Sequence, residues 1–414
     1  MTSSRPARSR NPFRLLVEYR EFRLFWVGQT ISLIGSWMQQ VAVGWTALEL
    51  SDDAFIVGLV AAAGTFPILL LSIPGGVVAD RHEKLRIVRI AQAFMLGEAA
   101  ALWALSVTGH LTIPWLLGLS LIGGVLAAFE IPARQSLMVE LVGKEDLAQA
   151  IGLNSTGFNL ARVMGPSVAA IVVAQLGVSW TFGLNALSYL AVLIALWMIH
   201  LAPARRVSRA MAAVPTGPAG FREAWTYIRA HEPLPALLWL TLLFSVLGVP
   251  VLSLLPVVAR QGLQLGADGY GALMASFGVG AVVGALAIAA TGGGERRGRL
   301  FRRASYALPV LLMAFAAARI PVLAAVLLFG VGLAMILNNA LVNARLQELV
   351  PDAVRGRVLS VYVMVYVGAS PIGSALGGWV ARAAGVDWAI GGGGALMLLV
   401  ALWAFRRHPL LAAH

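Results

Sequence analysis

None of the chain's 414 residues is cysteine, which excludes disulfides, thiol catalysis and cysteine-ligated metals. The six histidines (His82, His110, His200, His231, His408 and His414) form no HxxxH or comparable ligand spacing, so no metal site is expected. No GxxxxGK[ST] loop is present, and ATP drive would need another chain. Gly278-Val-Gly280-Ala-Val-Val-Gly284 resembles a dinucleotide loop, but its second gap holds three residues where two are needed. Gly280 and Gly284 read better as a helix-packing face. No Ser/His/Asp constellation or paired-acid site marks an enzyme. Charge is also scarce: Asp, Glu, Lys and Arg make up 12% of the chain, against roughly 25% in an ordinary soluble domain.

Apolar stretches fill the chain instead, with 59% hydrophobic residues. About twelve approach the ~20 residues that cross a ~30 Å hydrocarbon core. They lie near 22–48, 54–79, 86–108, 112–134, 146–176 and 179–201, then 236–259, 268–291, 303–318, 320–346, 355–381 and 385–405. Of the 31 Lys and Arg, all but four fall in the two tails and in alternate loops. Arg260, Arg319 and Arg382 sit in opposite-side loops, and Arg162 lies inside a span. Positive loops stay cytoplasmic, so both termini are expected inside a multi-pass bacterial inner-membrane protein. The Glu49–Asp53 loop, acidic and without a base, suits the outside. The net charge of +12 therefore reflects topology, and the expected partner is the lipid bilayer with no nucleic acid. Residues 1–23 are basic, but the apolar run that follows, to about Leu48, is too long for a cleaved signal.

The organisation is an all-α membrane protein: a basic tail (1–21), six spans (22–201), a linker (202–235), six spans (236–405) and a short tail (406–414). The linker carries Arg205, Arg206, Arg209, Pro203, Pro215 and Pro218, then an amphipathic piece from Phe221 to Arg229 that suits a membrane interface. The halves show a weak repeat. Pro132-Ala-Arg134 ahead of Gly165-Pro166 parallels Asn343-Ala-Arg345 ahead of Ser370-Pro371. Repeats at half the chain length mark secondary transporters, with a site between halves near the midplane.

Three segments carry a family resemblance. Gly76-Val-Val-Ala-Asp80-Arg81, between spans 2 and 3, keeps the core of the Gly-x-x-x-Asp-Arg-x-Gly-Arg loop of the major facilitator superfamily and departs at Glu83. Span 5 resembles the antiporter signature of facilitator exporters through Gly152, Ala161, Gly165 and Pro166, with alanine for glycine at Ala161, Ala169 and Ala170. The run from Phe129 to Pro166, with the early Phe25-Trp26-x-Gly28-Gln29, resembles the branch that holds enterobactin-type siderophore exporters and macrolide-efflux-like proteins. The resemblance implies twelve transmembrane helices in two pseudo-symmetric six-helix bundles, the major facilitator fold. It also implies a cytoplasmic gate built from Gly76, Asp80 and Arg81, joined by Glu130 and Arg134, and export in preference to uptake.

Polar residues recur at intervals of three and four, which places each set on one helix face. Span 1 has Gln29, Ser32, Ser36 and Gln39 or Gln40; span 5 has Ser155, Asn159 and Arg162; span 10 has Asn338, Asn339 and Asn343; span 11 has Tyr362, Tyr366 and Ser370. Such stripes avoid lipid and either bridge helices or line an aqueous cavity. Gln29, Ser32, Ser36, Gln39, Asn159, Arg162, Asn339, Tyr362 and Tyr366 are the expected substrate-cavity residues, with Trp37, Trp45, Trp239, Phe244 and Phe277 as aromatic contacts. Arg162, near mid-depth, needs an acceptor: an anionic substrate group or an internal carboxylate. Glu98 and Glu130 are the candidates for proton coupling, and Glu130 is also expected to pair with Arg134 at i+4. The expectation is a secondary exporter of a small amphiphilic molecule, such as a siderophore or macrolide-like compound. It would be a monomer driven by proton exchange, with no cofactor. An uptake permease or lysolipid transporter of the same fold, and a non-transporting membrane sensor, are the alternatives.

Overall fold

The structure, a computed structural model, describes residues 13–143, 145–201, 218–291, 295–408 and 411. Much of the basic tail, linker residues 202–217 and the start of the loop before Glu295 lie outside the described residues. Every regular element within them is helical. The first six long helices are α1 (Arg20–Ser51), α2 (Ala54–Arg81), α3 (Lys84–Val107), α4 (Ile113–Val142), α5 (Leu147–Leu176) and α6 (Ser179–Trp197). The second six are α7 (Leu234–Ser253), α8 (Ala267–Ala290), α9 (Glu295–Ala317), α10 (Pro321–Leu349), α11 (Val354–Ala384) and α12 (Trp388–Arg407). Eleven of them are long and apolar enough to cross a membrane. The twelfth, α1, has the length at 32 residues. Its glutamines and serines, with Arg20, Glu21 and Arg23 near its start, lower its hydropathy; Gln29 and Ser32 are buried against other helices and need no lipid contact.

Sequence punctuation sets the helix ends. Asp52 leaves α1 with φ 51°, and the Asp53 carboxylate accepts the Phe55 N–H at 2.8 Å to cap α2. Gly143 (φ 80°) and Gly177 (φ 89°) end α4 and α5 in a backbone that disfavours a side chain. The largest differences from the sequence expectation fall at two boundaries. Helix α4 continues past 134 to Val142, and α9 begins at Glu295 instead of 303. Hydropathy stops at charges, but arginine is a good helix former whose stem can lie along apolar surface.

The buried residues form three clusters, and their distribution describes the whole assembly. At the face opposite the chain termini, one continuous core joins both halves: Trp45, Leu48 and Val57 pack with Leu254, Leu255, Tyr270 and Phe277. At the face carrying the termini the cores are separate. Phe22, Phe25, Leu137, Leu141 and Leu153 belong to the first half alone. Leu237, Phe301, Leu341, Leu346 and Leu411 belong to the second alone. The molecule is therefore sealed at one face and parted at the other.

The seal is made where α2 meets α11 and α5 meets α8. These two crossings are images of each other under exchange of the halves. Both depend on close backbone approach. A Cβ on Gly378 would fall 2.8 Å from the Ala54 carbonyl oxygen, and one on Gly278 would fall 2.8 Å from that of Arg162. Gly284 sits as closely on Leu333 of α10, so the apparent dinucleotide loop is a packing face. An ion pair between Arg382 and Asp53, at 3.4 Å, adds a charged link across the halves at the sealed face.

The amphipathic linker piece is a helix, Pro218–Ala230. Its Ala224 and Ile228 are buried in the second half's core, and Glu223 pairs with Arg357 of α11. It packs as part of that half.

Candidate functional site

Arg162 stands on α5 where that helix lies between α1 and α8. Small residues bring α5 close enough. Gly165 abuts Trp37 and the Ile34 carbonyl of α1, and Gly157 abuts Thr30 and Trp26. Ala161 is fully buried, and Pro166 is buried within a helix that continues unbroken from Leu147 to Leu176. Gly152 plays no such part, since a Cβ there would meet nothing within 4 Å.

The Arg162 guanidinium lies over the Phe158 ring at 5.1 Å and the Trp37 ring at 5.6 Å from their centroids. The two rings meet edge to face at 5.9 Å. Its Nε is buried and has no hydrogen-bond partner. Among the described residues no carboxylate pairs with it, so the internal-acid reading of Arg162 is excluded there. Tyr366 of α11, in the other half, is its electrostatic neighbour.

Tyr366 is itself built into the second half. Its hydroxyl neighbours the Asn339 side chain, and its backbone carbonyl accepts from Ser245 Oγ at 2.6 Å. Tyr362 Oη donates to the Asn339 carbonyl at 3.0 Å, and the Tyr362 and Tyr366 rings stack at 6.3 Å. With Thr241, Phe244 and Asn338 these residues line a narrow cleft of about 320 Å³ including its open mouth. Asn338 is committed to Ser305 at 2.7 Å and to the Ala334 carbonyl at 3.0 Å.

The α1 stripe turns away from this centre. Gln29 and Ser32, expected at the cavity, are buried within the first half. Ser36 bonds Tyr189 of α6 at 3.1 Å. Gln39 Nε2 donates to both Glu98 carboxylate oxygens at 3.1 Å, and its Oε1 accepts from Asn185 Nδ2 at 2.6 Å. Asn185 in turn accepts from Ser188 Oγ at 3.0 Å. The reason is geometric. The face carrying Gln29, Ser32, Ser36 and Gln39 points to α3 and α6, while Trp37 points to α5. Asn185, Ser188 and Tyr189 were missed in the sequence, although polar residues at i, i+3 and i+4 in an apolar span are a readable signal.

The remaining expected residues divide. Asn159 donates back to the Ser155 carbonyl of its own helix at 2.9 Å. Glu130 is buried, accepts from Arg134 Nε at 2.8 Å and from Gln92 Nε2 at 3.3 Å, and so has a counter-ion. Asp80 and Arg81 are exposed at the parted face and make no ion pair with the described residues, and Gly76 has open space beside it. Of the expected gate residues, Glu130 and Arg134 pair with each other, and Asp80 and Arg81 stand apart from that pair. Of the aromatic contacts, Trp45 and Phe277 belong to the sealed core, with Trp45 stacked on Tyr270. Trp239 is exposed and outside the cleft.

Two six-helix halves related by exchange, with a polar and aromatic centre between them, define a transporter of the major facilitator superfamily. It is a multi-pass membrane protein and not an enzyme. A family model described as a transmembrane secretion effector matches residues 11–412, and the chain belongs to that family. It is 26% identical over 407 residues to the enterobactin exporter EntS of Shigella boydii, covering 95% of each chain. It is 24% identical over 268 residues to the staphyloferrin A transporter of Staphylococcus aureus, covering 64% of this chain and 66% of that one. A crystal structure of the peptide transporter POT has the same fold, with a TM-score of 0.72 at 13% identity over 98% of this chain and 99% of that one.

Proposed function

We propose that this transporter exports a siderophore-like amphiphilic molecule across a bacterial inner membrane, by alternating access and in exchange for protons. The observation that carries the reading is the centre itself. Arg162, Trp37 and Phe158 come from one half and Tyr366 with Asn339 from the other, so a ligand held between them would be released or captured as the halves rock. The arginine distribution assigns the face with the termini to the cytoplasm, so the parted face is the inward one and the sealed face the outward one. Export is supported by the secretion-effector family and by the named activity of EntS.

Glu98 is the better of the two coupling acids. Glu130 already has Arg134, whereas Glu98 is held by Gln39 amide donors and pairs with no cation among the described residues. A proton gained there changes which donors Gln39 must supply, and Gln39 belongs to the same turn of α1 as Trp37.

The test is pH-gradient collapse in inverted vesicles, challenged with siderophores and hydrophobic drugs, for wild type beside Glu98→Gln and Glu130→Gln. Substrate-triggered proton flux that survives Glu130→Gln and fails in Glu98→Gln is expected. Substrate movement without proton flux would remove the coupling assignment. Movement only in the opposite direction would favour uptake, and binding without movement would favour a sensor.

A further inference from the structure

We infer that the ligand of this centre is an anionic amphiphile, its carboxylate or equivalent acid seated on the Arg162 guanidinium and its flat apolar part against Trp37 and Tyr366. The inference rests on the transporter reading of the site and adds the chemical class.

Arg162 is half-buried at mid-span without an acid, and such a charge is costly because it has lost part of its water and gained no counter-ion. The Trp37 and Phe158 rings offset part of that cost through their π faces. They do not serve its in-plane donors, and the buried Nε has no hydrogen-bond partner. A guanidinium presents those donors as a planar fork that fits a carboxylate in two parallel bonds. Tyr366 is its neighbour on the other half, with Asn339 beside Tyr366, and the two offer a hydroxyl and an amide. The cleft beside Tyr366 and Asn339, lined by second-half residues alone, holds only apolar, hydroxyl and amide side chains and no acid. Glu98 and Glu130 are turned into the first half and bonded there. Lipophilic cations therefore meet a like charge and no acid, and the site selects against them.

The protein in lipid nanodiscs should be titrated calorimetrically with 2-naphthoate, its neutral amide 2-naphthamide and the cation 2-naphthylmethylammonium, with empty discs as blank. Wild type should bind the carboxylate at least about tenfold more tightly than the amide, and the cation more weakly than either. Arg162→Gln should erase the preference and keep the amide's affinity. It should melt no lower than wild type, since it removes an unpaired buried charge. Arg162→Lys, which keeps the charge without the fork, should retain a reduced preference. Equal or absent binding of carboxylate and amide in wild type overturns the inference, as does a preference that survives in Arg162→Gln. Anion-selective binding with no vesicle flux would keep the inference and overturn the exporter reading.

Discussion

Trp37 and Gln39 lie two residues apart on α1 and serve opposite sides of it. The Trp37 ring lies under Arg162 at the centre of the molecule, and the Gln39 amide holds Glu98 inside the first half at 3.1 Å. One helical turn thus joins the ligand centre to the candidate proton site. A displacement of α1 that suits one contact is felt at the other.

Replacing Trp37 should weaken ligand binding and spare the fold. Leucine keeps the Cβ on which Gly165 packs and removes the ring. Loss of a cation–π contact of ~0.5–2 kcal/mol corresponds to a roughly two- to thirtyfold rise in Kd. Calorimetry with the anionic probe measures it, and an unchanged Kd would show that the ring does not support Arg162.

Gln39→Leu should have the complementary effect. It leaves Asn185 Nδ2 and the Glu98 oxygens without their partners, at a cost of roughly 1–3 kcal/mol for each group left unsatisfied. The melting temperature in detergent should fall, and proton flux should fall with it. Asn185→Leu, which breaks the same network from α6, should add little further loss in the double variant, because neighbours in one network are not additive.

The two halves meet through glycine backbones, so bulk at Gly278 should stop transport. A Cβ there lies 2.8 Å from the Arg162 carbonyl, and leucine cannot fit without parting α5 from α8. Overpacking of this kind costs about 1–3 kcal/mol. Gly278→Leu should stay folded, with flux reduced at least about tenfold. Gly97→Leu, on α3 with open space around it, should transport normally, which separates local clash from a general effect of leucine.

The sealed face can be locked through Asp53 and Arg382. Because the chain has no cysteine, Asp53→Cys with Arg382→Cys gives a unique pair for a reducible bifunctional thiosulfonate. The ion pair itself, partly exposed, contributes only about 0–1 kcal/mol, so the uncross-linked double variant should still transport. Cross-linking should stop flux and reduction should restore it. Undiminished flux with the link in place would mean that this face need not open.

Much was legible in the chain because membrane insertion imposes simple rules. Twelve apolar lengths, alternating arginine-rich loops and a linker at the middle follow from hydrocarbon thickness and charge alone. So does the suspicion attached to Arg162, since a guanidinium in a span is costly wherever it points. The side each residue faces is another matter. In lipid the outside of a helix is as apolar as its packed face, so periodicity groups Gln29, Ser32, Ser36 and Gln39 without saying what they face. Only the packing of α1 on α3 and α6 turned them inward and left Trp37 at the centre. The i+4 spacing already paired Glu130 with Arg134, but only the packing showed Arg162 without a carboxylate. Only the merging of the cores at one face and their separation at the other showed which end of the molecule is open. Composition determined that this chain spans a membrane as two bundles; long-range contact, which no local spacing encodes, decided where its uncompensated charges lie.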